Sequence, residues 1–160
     1  MQNETHDTVH TGGEEVVRGE EISWKRLPPV ALVAAFGAAV VNAIVYSAAS
    51  GLGLIPQDIL VPGPGGEQPL TAALVVIGSV VGAIGGAGVF GLIGMFARRP
   101  VRTFCIVATV VLVLSLATPL TIPGVPLSMV LSLEAMHVAA WAVTVGLLTT
   151  LARRTEPVDL

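Results

Sequence analysis

The chain has 160 residues, of which 53% are hydrophobic and 12% charged; a soluble domain carries roughly a quarter charged residues, so an ordinary water-soluble fold is excluded. The net charge of −3 does not describe a uniformly acidic protein. The acids crowd into the N-terminal tail, whereas the eight Lys and Arg residues sit in small groups at the ends of four apolar stretches, too divided to form a footprint for a nucleic-acid backbone. A single cysteine, Cys105, excludes an intrachain disulfide, a thiol pair or a Cys-rich metal site and reads as a small hydrophobe.

In chain order, residues 1–23 are polar, acidic and without apolar periodicity, which predicts a disordered tail. Trp24, Lys25 and Arg26 follow as an aromatic and two cations suited to the lipid headgroup level. Pro28 and Pro29 open the first helix, about 30–50, because its early positions have no intrahelical donor to lose. At ~1.5 Å per residue such a segment covers ~30 Å, the thickness of the hydrocarbon layer. Ala48 and Ser50 allow a cleaved signal peptide as a competing reading, but the apolar run is too long and the leader before it too extended.

The next loop holds Pro56, Pro62, Pro64 and Pro69 and cannot be continuous helix. Its Leu52, Leu54, Ile55, Ile59, Leu60 and Val61 predict that it folds back over the helix ends or lies in the membrane interface. The second segment, 70–97, is uncharged and long enough to tilt or to extend beyond the lipid core. Gly78, Gly82 and Gly86 form one small-residue row along it, and Ala83, Ala87 and Gly91 form another; such rows permit close backbone approach. The simpler use of both is packing within the chain, and the alternative is a dimer seam or hinge. Arg98, Arg99 and Arg102 bracket Pro100 in a turn so short that the second and third segments must be antiparallel neighbours. The third segment, 101–120, ends at Thr118-Pro119. The fourth, 128–152, is followed by Arg153, Arg154 and a short tail to residue 160.

All the basic groups would lie on one side of a membrane, and the positive-inside rule makes that side cytoplasmic. The expected fold class is therefore all-α, a four-transmembrane-helix antiparallel bundle with both termini cytoplasmic. Its membrane domain covers 24–152.

Counting from the basic anchors at ~1.5 Å per residue places Asn42, Ser115 and His137 at a common depth of ~20 Å, with Thr118 and Glu134 one turn further out. Glu134, His137, Trp141, Thr144 and Leu148 share one stripe of the fourth segment, which should face protein because polar groups in lipid cost ~2.5–3.5 kcal/mol when charged. On the first segment Ala35, Ala38, Asn42, Tyr46 and Ala49 form a small-residue face able to receive that stripe. The simpler reading of the polar layer is interhelical glue at roughly 0.5–2 kcal/mol per hydrogen bond. The alternative is an outward-facing polar pocket around Asn42, Ser115 and His137, with His137 as its titratable member, used by a small-molecule or ion carrier.

Glu134-x-x-His137 has the spacing used in di-iron bundles but lacks the second motif and further carboxylates. One intramembrane histidine cannot supply both axial ligands of a haem within one chain. No phosphate loop, metalloprotease motif or nucleophilic triad is present. These absences point to a non-enzymatic protein without a cofactor or metal. Membrane lipids are its expected partners, with a second copy or another membrane protein possible.

Trp24 with its basic pair, Asn42, the run from Leu114-Ser115 to Thr118-Pro119-Leu120, and Met136-His137 followed by small residues together resemble a family of unknown function made of small bacterial four-helix membrane proteins. The resemblance covers about residues 24–152. It implies the four-helix architecture and an inner-membrane location, and it brings no reaction or substrate.

Overall fold

The computed structural model describes residues 22–152. Most of the acidic tail, including Arg18, and Arg153, Arg154 and the rest of the C-terminal tail lie outside the described residues. Four helices carry the fold: α1 (Leu27–Gly51), α2 (Ala72–Phe96), α3 (Pro100–Leu116) and α4 (Leu127–Leu151). Counting the short 3-10 turn Pro119–Thr121 with α3, each is long and apolar enough to cross a membrane, the make-up of a multi-pass membrane protein.

Local chemistry sets the ends. Proline occupies the first turn of α1 and of α3, where its missing N–H removes no helical bond. Thr71 caps α2 by accepting from the Leu74 amide at 3.3 Å. At the end of α1, Gly53 takes φ +70°, while the Leu54 and Gly53 amides donate to Ala49 and Ser50. This is the Schellman closure that glycine favours, and it satisfies carbonyls the helix leaves open.

One departure from the all-α expectation lies in the Pro/Gly-rich loop. Residues Leu60–Gly63 (β1) and Gly66–Pro69 (β2) pair as an antiparallel hairpin with Val61 opposite Gln68. A two-stranded ribbon has only edges, so it tolerates prolines that a central strand would reject. Gly66 at φ +110° completes the turn. Val61 and neighbouring Ile55 and Leu70 are buried with Ala49, Met129 and Met136. The loop is therefore packed down over the helix ends.

The helices meet through side chains of very different size. Along the middle of α1, Ala35 and Ala38 bury against Ala83 of α2, and a Cβ on Gly37 would stand 3.1 Å from Val143 Cγ1 of α4. Small residues on both sides let the backbones approach, which is how apolar helices gain contact energy when their surroundings are equally apolar. At the end away from the hairpin the core is larger: Val30, Phe90, Phe104, Leu148 and Ala152 pack together, the two rings 4.7 Å apart. The Ser23 amide donates to the Ala152 carbonyl at 2.8 Å and ties the start of the described chain to the end of α4.

The third helix is held differently. Its buried residues are Pro100, Val101 and Phe104, all within its opening turns, and the next buried position in this region is Pro119. Between those two anchors, Val107, Val110, Val111, Val113 and Leu114 are exposed. The third helix is thus pinned at both ends and, beyond Cys105 and Ala108, which pack against the core, stands off α2 and α4.

Candidate functional site

The space left by α3 is a cleft of about 910 Å³. Its rim is formed by exposed residues of α2, such as Gly78 and Gly82, and of α3, such as Val107 and Val111. Its floor is α4, from Leu133 to Val145, with Asn42 of α1 showing between. The Val61–Pro64 side of the hairpin and Pro119 close one end, and Phe104 closes the other. Among the described residues, no Asp, Glu, Lys or Arg lines it.

Asn42 is 5% exposed. Its Nδ2 donates to Ser79 Oγ at 2.9 Å, and the Ser79 hydroxyl donates onward to the Val75 carbonyl at 2.7 Å. The other half of the amide, Oδ1, is buried with no hydrogen-bond partner among the described residues. Trp141 also lines the cleft, and its Nε1 is likewise buried without a partner. Leaving such a group unmet costs about 1–3 kcal/mol. One is an acceptor and the other a donor.

Four of the five residues singled out from the sequence, Asn42, Ser115, Thr118 and His137, line this cleft. Glu134 is half-buried and does not. The interhelical bonding expected among Asn42, Ser115 and His137 is corrected. Ser115 donates to Leu112 of its own helix at 2.7 Å, and His137 Nδ1 lies 2.7 Å from the Leu133 carbonyl of its own helix. Each has spent its local donor on a backbone carbonyl one turn back, as hydroxyls and imidazoles in apolar helices readily do.

The interhelical bond that does form uses Ser79, the only hydroxyl in α2, and that solitary polarity was the signal available. Trp141, placed on the same stripe as His137, carries one of the two unmet polar atoms. Tyr46, placed on the small-residue face of the first segment, is half-buried and donates to the Leu70 carbonyl at 2.9 Å, holding the hairpin's end to α1.

The two small-residue rows of α2 separate. Ala83, Ala87 and Gly91 are buried, and a Cβ on Gly91 would lie 3.1 Å from Leu27 and 3.4 Å from Trp24. Gly86 is close to Thr144 Cγ2, 3.3 Å from where its Cβ would be, but Gly78 and Gly82 have open space before them. Packing within the chain accounts for the first row and for Gly86; Gly78 and Gly82 instead rim the groove. That groove is apolar, uncharged and deep, the kind of surface that takes a hydrocarbon chain, and volumes of roughly 300–1,000 Å³ are those of sites that enclose a small ligand.

No curated protein and no solved structure matches the chain. A family model does match, over residues 23–155, and it covers all four helices and every residue of the cleft. The chain belongs to the Family of unknown function (DUF6069).

Proposed function

We propose that the protein is a non-enzymatic lipid-binding bundle of the cell membrane, with antiparallel helices, both termini cytoplasmic, and a ligand site that opens sideways between α2 and α3. The observation that carries the reading is the cleft itself: about 910 Å³ of uncharged, largely apolar space with two buried polar atoms left unmet, Asn42 Oδ1 and Trp141 Nε1. A site entered from the lipid needs no aqueous path, and its rim of exposed valines and glycines matches the chemistry of acyl chains.

The helix directions are supported by the order of contacts. As α1 proceeds from Leu27 to Asn42 to Tyr46, its neighbours retreat from Gly91 to Ser79 to Leu70. Lys25, Arg26, Arg98, Arg99 and Arg102 are exposed or near the Phe90–Phe104 end, away from the hairpin, which supports a cytoplasmic placement of that end under the positive-inside rule. An ion carrier is disfavoured because no charged side chain among the described residues lines the cleft.

The test is native mass spectrometry of the full chain released from mild detergent. One or more lipid-sized adducts should survive on the chain and vanish when Gly82→Leu fills the groove. A wild-type chain that sheds every adduct as readily as the variant would refute the reading. A dimer that loses its adducts when dissociated would instead assign the groove to a second copy.

A further inference from the structure

We infer that Ile22, Ser23 and Trp24 form a clasp that fastens α2 to the end of α4 and so holds shut the Phe104 end of the cleft; its consequence for a bound lipid rests on the lipid-binding reading. The seat of the clasp is made of glycine. Gly91 and Gly94 lie three residues apart on α2 and share one side of the helix. A Cβ on Gly94 would run into Ile22 Cδ1 and stand 3.3 Å from its Cγ1, and a Cβ on Gly91 would lie 3.4 Å from the Trp24 ring. Glycine is the poorest helix former after proline, and here each one leaves the space that a strap residue fills.

Ser23 fixes the strap with its backbone alone. Its N–H donates to the Ala152 carbonyl at 2.8 Å, just past the last residue of α4, and its carbonyl accepts from the amides of Arg26 and Leu27 at 3.0 Å each. One residue thereby joins the end of α4 to the first turn of α1, while the residues before and after it press on α2. Ile22 is 8% exposed and belongs to the same buried cluster as Val101, Phe104, Val145 and Ala152. Phe104 and Val145 also line the cleft, whereas Ile22 and Gly94 do not. The clasp therefore acts on the cleft from behind, through the packing of the residues that wall it.

The strap sits at the end away from the hairpin, where Lys25, Arg26, Arg98 and Arg99 are exposed and water reaches the chain. There the hydrophobic effect drives the burial of an isoleucine, a force that lipid withholds from the helix faces deeper in. Among the described residues, its hold on α2 and α4 consists of one hydrogen bond and the side chains of Ile22 and Trp24. That is little enough to open while the four helices stay formed.

The test moves bulk from one side of the contact to the other in the full-length chain. Gly94→Val should expel Ile22, Ile22→Ala should empty the seat, and the two together should refill it. Gly88→Val, where an added Cβ meets nothing within 4 Å, is the control. Trypsin in mild detergent reads the strap, because Lys25 and Arg26 are exposed yet held in the turn that Ser23 closes. Cleavage after these residues, followed by mass spectrometry, should be about tenfold faster in each single variant and return to within about twofold of the unmodified chain in the pair. Lipid adducts retained on collisional activation in native mass spectrometry should fall about threefold in each single variant and recover in the pair. Gly88→Val should change neither measurement.

Equal trypsin rates in the unmodified chain and Gly94→Val, or a pair cut as fast as the single variants, would overturn the clasp. Faster cutting with adducts retained in full would overturn its hold on the cleft. An unmodified chain without adducts would defeat the lipid-binding reading and the retention expected from it, while the trypsin series still decides the clasp. If Gly94→Val fails to fold, Ile22→Ala carries both measurements alone.

Discussion

Gly82 and Ala83 are neighbours in α2 and belong to small-residue rows that look alike in the sequence, yet leucine at one should be accepted and at the other rejected. At Gly82 a new Cβ meets nothing within 4 Å, and the rest of the side chain extends into the cleft. The exchange also removes a glycine from a helix interior, worth up to about 1 kcal/mol in favour of folding. Ala83 is 2% exposed and faces Ala35 and Ala38, where three added carbons have no room. Overpacking of this kind costs about 1–3 kcal/mol, so the two variants should differ by roughly 2–4 kcal/mol.

The measurement is the loss of helical circular dichroism on titration with SDS from mixed micelles, with refolding on dilution as the check of reversibility. Gly82→Leu should unfold at or above the unmodified midpoint, and Ala83→Leu clearly below it. If Gly82→Leu proves as damaging as Ala83→Leu, α3 must close upon α2 and the cleft does not exist in the membrane. The reasoning from open space to ligand would then fail at its first step.

Ser79→Ala should cost about 0.5–2 kcal/mol in the same titration by stranding the Asn42 amide, whereas Ser115→Ala, which loses only a bond to its own helix, should stay within about 0.5 kcal/mol. Tyr46→Phe removes the 2.9 Å bond to Leu70 and should destabilise by about 0.5–1.5 kcal/mol, accompanied by faster proteolysis within the hairpin; unchanged cleavage would count against Tyr46 as its tether. For the topology, cysteine is placed singly at Pro64 or Arg98 in a Cys105→Ala background. A membrane-impermeant maleimide added to intact cells should label Pro64→Cys and not Arg98→Cys, and labelling of Arg98→Cys would invert the assigned orientation.

The four helices were legible because each is a long apolar run bounded by proline or arginine, and the structure moves their ends by only a few positions. Lipid-facing helices advertise themselves by being apolar all round, and for the same reason their sequences say little about which face meets which. Asn42 was recognisable as the one strong polar group in α1. Its partner was harder to find, because a lone serine in a glycine-rich helix resembles another small packing residue. The hairpin was legible only as a loop that turns back: its prolines rule out helix, but pairing of Val61 with Gln68 depends on a turn geometry that alternating polarity did not mark. Least legible was the standing-off of α3. Nothing in its run of valines and leucines distinguishes residues facing lipid from residues facing a cleft, since both surroundings are hydrocarbon.

That same equivalence explains why the cleft can persist. In water, apolar walls of about 910 Å³ would be driven together by the hydrophobic effect, whereas in a bilayer acyl chains wet them as well as leucine does and no such force acts. What holds α3 is then the chemistry at its ends, Phe104 packed against Phe90 with the rings tilted at one and buried Pro119 at the other. The Asn42 amide acts across this arrangement through two separate atoms. Its nitrogen binds α1 to α2 through Ser79, and its oxygen is buried without a partner among the described residues. Ser79→Ala removes the partner of the nitrogen, so a variant that is less stable yet keeps its lipid adducts would separate the interhelical bond from the cleft.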